Sequence, residues 1–142
     1  MQPIPNSQAI LLIDDNDDDV EASMRAFKRT NMRNPIVRAA TGAEALTMLR
    51  AGQVNPGLIL LDLNMPGLDG RRVLAILKGD VELRRIPVVI LTTSSDERDV
   101  EDCYQLGANT YIQKPVDLDG LFAAIQRLKE YWFEIALLPR EQ

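Results

Sequence analysis

Asp14, Asp15 and Asp62 each close a short apolar run, and Thr92-Thr93 and Lys114-Pro115 close two more. In an open α/β sheet, ligands bind beyond the carboxyl ends of the strands, so residues placed in this way converge on one cleft. Three carboxylates brought together repel unless a cation joins them or some keep a proton. An all-oxygen set favours Mg²⁺, which keeps several waters and accepts one or two carboxylates, a carbonyl and a phosphate oxygen. Asp62 precedes the turn-prone Leu63-Asn64-Met65-Pro66-Gly67, and a carboxylate held at a sheet edge can be a nucleophile. With Lys114 neutralising phosphoryl oxygens and Thr92 donating a hydrogen bond, in-line attack on a phosphoryl donor becomes feasible. Its product is an aspartyl phosphate.

The elements that must hold these side chains alternate along the chain. Ala9 to Ile13, Leu58 to Leu61, Pro87 to Leu91 and the weaker Thr110 to Ile112 read as buried strands, with Pro35 to Ala40 a more polar strand nearer an edge. Helical patterns fall at Asp17 to Asn31, Ala43 to Ala51, Gly70 to Gly79, Asp96 to Leu106 and Asp117 to Leu138, punctuated by glycines and prolines. Strand and helix alternation predicts five βα units in a right-handed, doubly wound parallel sheet of α/β class. Met1 to Ser7, with Pro3 and Pro5, is expected to be an unstructured lead-in.

Composition narrows the chemistry. The 142 residues suit a single domain, and 16 basic against 21 acidic residues give a net charge of −5, which argues against a nucleic-acid partner. There is no histidine, so imidazole bases, His-based triads and phosphohistidine within this chain are excluded. The lone Cys103 forms no internal disulfide and reads as a helix residue without special reactivity. No apolar stretch approaches the ~18 residues of a membrane span, and no leader pattern is visible, so a cytoplasmic, membrane-independent protein is expected.

These residues, in this order and spacing, resemble the receiver domain of two-component response regulators over about residues 8–130. The resemblance rests on Asp14-Asp15, on Asp62 with Met-Pro-Gly-x-Asp-Gly at 65–70, on Thr92 and on Lys114-Pro115. It implies the flavodoxin-like (βα)5 fold with strand order 2-1-3-4-5, a phosphoacceptor at Asp62, and a partner histidine kinase as donor. It also implies Mg²⁺ held by the side chains of Asp15 and Asp62 and the backbone carbonyl of Asn64, with Asp14 holding the metal's waters. Thr92 and Tyr111 would be the switch pair, and a cis bond at Lys114-Pro115 would aim the lysine into the cleft. Leu91-Thr92-Thr93-Ser94, Leu106-Gly107-Ala108-Asn109 and Tyr131-Trp132 look like the single-domain regulators that partner phytochrome-type kinases.

Plainer readings stand beside these. Asp17 to Asp19 read as a solvated helix start, where acids meet the macrodipole favourably. An EF-hand loop from Asp15 fails, because Val20 and Ala26 stand where Gly and Glu are needed. Tyr111 reads equally as packing at the core edge. A phosphatase resembling the haloacid-dehalogenase group would need an acid two residues after Asp62, where Asn64 stands. A flavodoxin-like cofactor binder would need a Ser/Thr/Gly-rich loop after strand one, where the aspartates lie. A phosphate-independent interaction module is the remaining alternative.

The carboxyl end carries a seam of its own. Leu118, Leu121, Ile125, Leu128, Trp132 and Ile135 recur at helical spacing, and a helix from Asp117 to Leu138 would run ~33 Å, beyond the sheet. The overhang would expose Tyr131, Trp132 and Phe133, with Leu137 and Leu138 beyond and Pro139 as a stop. The expectation is a homodimer paired through the final helices at Leu128, Tyr131, Trp132 and Ile135, against the simpler possibility that the helix packs them on its own domain.

Overall fold

The computed structural model describes residues 4, 5 and 7–136. In chain order the elements are β1 (Ala9–Ile13), α1 (Asp17–Arg29), β2 (Ile36–Ala39), α2 (Gly42–Arg50), β3 (Pro56–Leu61), α3 (Gly70–Gly79), β4 (Val88–Thr92), α4 (Glu97–Gln105), β5 (Thr110–Gln113) and α5 (Leu118–Lys129). A π-helical segment, Glu130–Ile135, continues α5. The five strands are parallel in the order β2-β1-β3-β4-β5. This is the expected doubly wound sheet, and the element boundaries fall within a few residues of the expected ones except in the last helix, expected to run to Leu138, which is α-helical only to Lys129 and π-helical to Ile135.

Successive residues of a strand face opposite sides of the sheet, and that alternation divides the core in two. Leu11, Ile13, Ile59, Leu61, Val88 and Ile90 pack beneath α2, α3 and α4 with Leu46, Leu49, Val73, Leu74, Leu77 and Cys103. Ile10, Leu12, Leu58, Leu60, Val89 and Leu91 pack on the other side with Ala26 and Phe27 of α1 and Leu121, Ile125 and Leu128 of α5. The central strands are therefore near-continuously apolar, as strands covered on both faces must be.

Helix starts are fixed by side chains immediately before them. Asn16, Thr41, Asp69, Asp96 and Asp117 each accept a hydrogen bond from a backbone N–H in the first turn of the helix that follows. At the amino-terminal edge of the sheet, Lys78 Nζ donates to Arg84 O (3.0 Å), Ile86 O (3.0 Å) and Asn109 Oδ1 (3.3 Å). Asn109 Oδ1 also accepts from Val88 N (2.9 Å), so the entries to β4 and β5 are tied through one lysine and one amide. Burial pulls the Lys78 ammonium below its usual pKa.

Two expectations fail here for tertiary reasons. The lead-in is not wholly free of structure: Ile4 is buried with Ile10 and Leu58, and Asn34 Nδ2 donates to Pro5 O (2.9 Å). The register between β1 and β3 shifts between Ala9 and Ile10, where Gly57 is the extra residue, and a Cβ on Gly57 would meet Ile4 Cγ2 at 2.5 Å. Secondly, the seam of α5 turns inward. Leu128 and Trp132 are buried in their own domain, so they are not the free dimer contacts expected of them. Lys129 Nζ also donates to Thr30 O (2.7 Å), tying the end of α5 to the end of α1. Among the described residues of the expected patch, the flank remains open, with Tyr131 53% and Ile135 66% exposed. Leu137, Leu138 and Pro139 lie outside the described residues.

Candidate phosphoacceptor and metal site

The hydrogen-bond ladders of β1, β3 and β5 run one residue past the strand and thereby fix a polar residue. Asp14 N donates to Ala39 O (3.2 Å), Asp62 N to Ile13 O (3.0 Å) and Lys114 N to Thr92 O (2.6 Å). By strand parity, Asp14, Asp62 and Lys114 continue the α1/α5 face of Leu12, Leu60 and Ile112, and their side chains meet there. Lys114 Nζ stands 2.7 Å from Asp14 Oδ2, 3.2 Å from Asp19 Oδ2 and 3.9 Å from Asp62 Oδ2. The ammonium reaches this place across a trans bond: no cis peptide occurs among the described residues, so the expected cis Lys114-Pro115 bond is not found. Trans is the cheaper isomer even before proline, and the lysine's long side chain already spans the distance.

Behind Asp62, the loop to α3 is set by a close approach of backbones. Gly70 N donates to Leu63 O (3.0 Å), and a Cβ on Gly70 would collide with Asp62 O and lie 2.6 Å from Leu63 Cα. Asn64 N in turn donates to Asp62 Oδ1 (3.4 Å), a long bond. Asp14, Asp15 and Asp62 each offer a carboxylate oxygen, and these oxygens lie within 4.8 Å of one another. Hard oxygen donors this close together fit a divalent cation.

Charge balance in the cleft is uneven. Burial pushes the Asp62 carboxyl up from its ordinary value and Asp14 adds to this, while Lys114, the nearby Thr92 and the Asn64 N–H oppose it without overcoming it. Burial likewise works against the Lys114 charge, but the Asp14 hydrogen bond and the charges of Asp14, Asp62 and Asp19 outweigh it, so the ammonium is held above its usual range. Thr92 is fully buried and its Oγ1 has no hydrogen-bond partner; it supports the Asp62 charge by proximity, without the geometry of a hydrogen bond.

Tyr111, the other expected switch residue, lies further out. Its hydroxyl donates to Ser94 O (2.8 Å), and Ser94 Oγ donates to Asp99 Oδ2 (2.7 Å), whose carboxylate also pairs with Arg71 at 2.7 Å. The loop after β4 is thus joined to the starts of α3 and α4 and to β5. Thr92 and Tyr111 are not in direct hydrogen-bond contact.

A sequence profile of the response regulator receiver domain matches residues 10–126. The chain belongs to the response regulator receiver family. Response regulator Rcp1 of Synechocystis is 37% identical over 137 residues, covering 93% of each chain. The phosphorylated cyanobacterial phytochrome response regulator RcpA superposes with a TM-score of 0.88 at 40% identity, over 94% of this chain and 99% of that one. The Mn²⁺-bound form of Rcp1 gives 0.85 at 37% identity, and RPA3017, a regulator in red light signalling of R. palustris, gives 0.87 at 30%; each covers 94% of this chain and 99% of its own. The receiver is thus similar to single-domain regulators along nearly its whole length, in a family that serves two-component signalling. Among its described residues, no helix is long and apolar enough to cross a membrane.

One residue of this receiver was not anticipated. Asp19, read as part of a solvated helix start, bonds Lys114, and its neighbour Asp17 pairs with Arg38 at 2.8 Å. The available signal was position: Asp19 is the third residue of a helix whose cap, Asn16, directly follows the cleft carboxylates. Cys103 behaves as expected of a core thiol, fully buried and with burial pushing its pKa up to about 11. A disulfide-exchange reagent should therefore leave Cys103 untouched in the native protein and label it only after denaturant is added.

Proposed function

We propose that Asp62 accepts a phosphoryl group from a phosphohistidine of a partner histidine kinase, and that the phosphorylated domain signals by binding another protein. The observation that carries this reading is the pair of poised groups around Asp62: the Thr92 hydroxyl without a partner, and the Lys114 ammonium 3.9 Å away, with two of its three protons given to Asp14 and Asp19 and one left over. A buried unpartnered hydroxyl costs about 1–3 kcal/mol, a cost that an arriving phosphoryl oxygen removes. In the transfer, an Asp62 carboxylate oxygen forms a bond to phosphorus as the phosphorus–nitrogen bond of the donor breaks. The imidazole leaves with that electron pair and takes up a proton from solvent. Mg²⁺, held by Asp15 and Asp62 and the Asn64 carbonyl with Asp14 behind its waters, would neutralise charge on the phosphoryl oxygens. Lys114 serves the same oxygens from the side of α1, and Thr92 moving toward them would draw on the Ser94 loop to which Tyr111 is bonded. Output is protein binding rather than turnover of a substrate.

The similarity to the phytochrome response regulator RcpA and to RPA3017, a regulator in red light signalling, supports a phytochrome-type kinase as partner, and the proposed place of the transfer is the cytoplasm. A homodimer through the final helices would use Tyr131 and Ile135, the members of the expected patch that stay exposed. Sedimentation at micromolar concentration should then report a dimer, and a monomer would remove that part of the reading. The phosphoacceptor itself is tested by incubating the protein with acetyl phosphate and Mg²⁺ and recording intact mass before and after hydroxylamine. One labile phosphoryl adduct is expected; its absence would overturn autonomous transfer to Asp62.

A further inference from the structure

Lys114 is held by more than the cleft. Its ammonium has three protons, and the contacts at 2.7 Å to Asp14 and 3.2 Å to Asp19 occupy two of them. The third contact, 3.9 Å to Asp62 Oδ2, is too long for a hydrogen bond. An oxygen carried outward from Asp62 by a phosphoryl group would fall in that gap. Asp14 lies inside the cleft, but Asp19 approaches from α1, outside the group of carboxylates whose oxygens cluster for a cation.

We infer that Asp19 is a positioning residue for phosphoryl transfer: it anchors Lys114 from the α1 side so that the ammonium stands ready for a phosphoryl oxygen without collapsing onto Asp62. This deepens the proposed function and rests on Asp62 being the acceptor.

Lys114 without Asp19 has two other places to go. It can close on the Asp62 carboxylate, where it would mask the nucleophile and occupy the space needed by the incoming group. It can also lean toward a pocket of about 100 Å³ between α1 and the start of α5, lined by Ala22, Ser23, Val116 and Leu118, which borders both Asp19 and Lys114. Ser23 Oγ is buried there with no hydrogen-bond partner, so it offers an acceptor. Either move takes the charge out of line with the phosphoryl oxygens, and electrostatic help of this kind depends on the charge being in place beforehand. Asp14 alone fixes one point of the ammonium; Asp14 and Asp19 together fix its direction.

The test compares Asp19→Ala, Asp19→Asn and Asp19→Glu with wild type, using acetyl phosphate at saturating Mg²⁺ and intact mass to follow adduct formation, with Asp62→Asn as the blank. Thermal midpoints are measured in parallel. Asp19→Ala should lower the second-order rate constant roughly fivefold, a size suited to one part-exposed ion pair. Asp19→Glu should restore most of it, and Asp19→Asn, which keeps an oxygen but loses the charge, should fall between. A wild-type rate in Asp19→Ala overturns the inference while leaving Asp62 as acceptor. A loss that Asp19→Glu does not restore, or that tracks the fall in thermal midpoint across the three variants, also overturns it by showing a role in the fold alone. No adduct on wild type overturns the reading of Asp62 and this inference with it.

Discussion

Asp62→Asn should take up no phosphoryl group and, free of metal, should melt higher than wild type. Loss of the adduct follows because an amide is not a nucleophile of this kind, and in the proposed function the neighbouring carboxylates are otherwise engaged, Asp14 with Lys114 and Asp15 with the metal. The gain in stability follows from where Asp62 sits. It is buried beside Asp14, and burial first, then that neighbour, raise its carboxyl above the ordinary 3.8. The folded protein therefore holds a proton at pH values where the unfolded chain has released it. Stability from this group is full below the unfolded value and is lost as pH rises through the folded one, so at neutral pH the charged side chain works against the fold. Asparagine cannot ionise and escapes that loss, while Lys114 keeps Asp14 and Asp19 as partners. A gain of about 1 kcal/mol would raise the midpoint by roughly 4 °C in a domain of this size. Mg²⁺ should then raise the wild-type midpoint more than the variant's, because a ligand that binds only the folded state stabilises according to its affinity. Scanning calorimetry from pH 4 to 8, with and without Mg²⁺, reads all of this. A variant that melts below wild type throughout would show that Asp62 supports the fold instead of straining it.

Gly70→Ala should cost about 3 kcal/mol, the upper end for one added methyl, because the obstruction is backbone. The new Cβ would run into the carbonyl of Asp62 and the Cα of Leu63, neither of which can turn aside as a flexible side chain does. Relief requires the start of α3 to back away from the end of β3, which breaks the Gly70 N to Leu63 O bond. The same shift moves the Asp62 backbone relative to Ile13, so phosphorylation by acetyl phosphate should fall more steeply than stability alone explains. Gly79→Ala provides the contrast: it lies at the far end of the same helix with nothing within 4 Å of an added Cβ. Urea unfolding of both variants, read with the adduct-formation rate, separates the two cases. Equal stability for Gly70→Ala and Gly79→Ala would mean that the loop behind Asp62 has slack.

The site was legible wherever chemistry coincided with the end of an apolar run. Asp14, Asp62, Thr92 and Lys114 could be placed because a buried parallel strand reads as a short apolar run and the polar residue at its carboxyl end lies at the cleft. The sheet was legible for the same reason. Asp19 was not, since an acid in a first helical turn already has an adequate local explanation in the macrodipole, and its bond to Lys114 spans 95 residues. The burial of Leu128 and Trp132 escaped as well. Helical spacing says which residues share a face, but whether that face meets the domain's own α1 or another chain depends on where the helix lies. Ile4 was hidden by its flanking prolines, which mark irregular backbone without saying whether a side chain between them finds a cavity.

The lysine at the opposite edge of the sheet gives the domain a mechanical asymmetry. Lys78 and Asn109 rivet the entries of β4 and β5 to each other and to the loop ahead of β4. The exits of those strands lead instead into Thr92, the Ser94 loop and Lys114, held by side chains that a new charge can recruit. Such a sheet is a cantilever, clamped at one end. On the proposed function, rearrangement prompted at the free end would not be dissipated as slippage of strand against strand; it would be delivered to the loop before α4 and to the surface of α4 and β5.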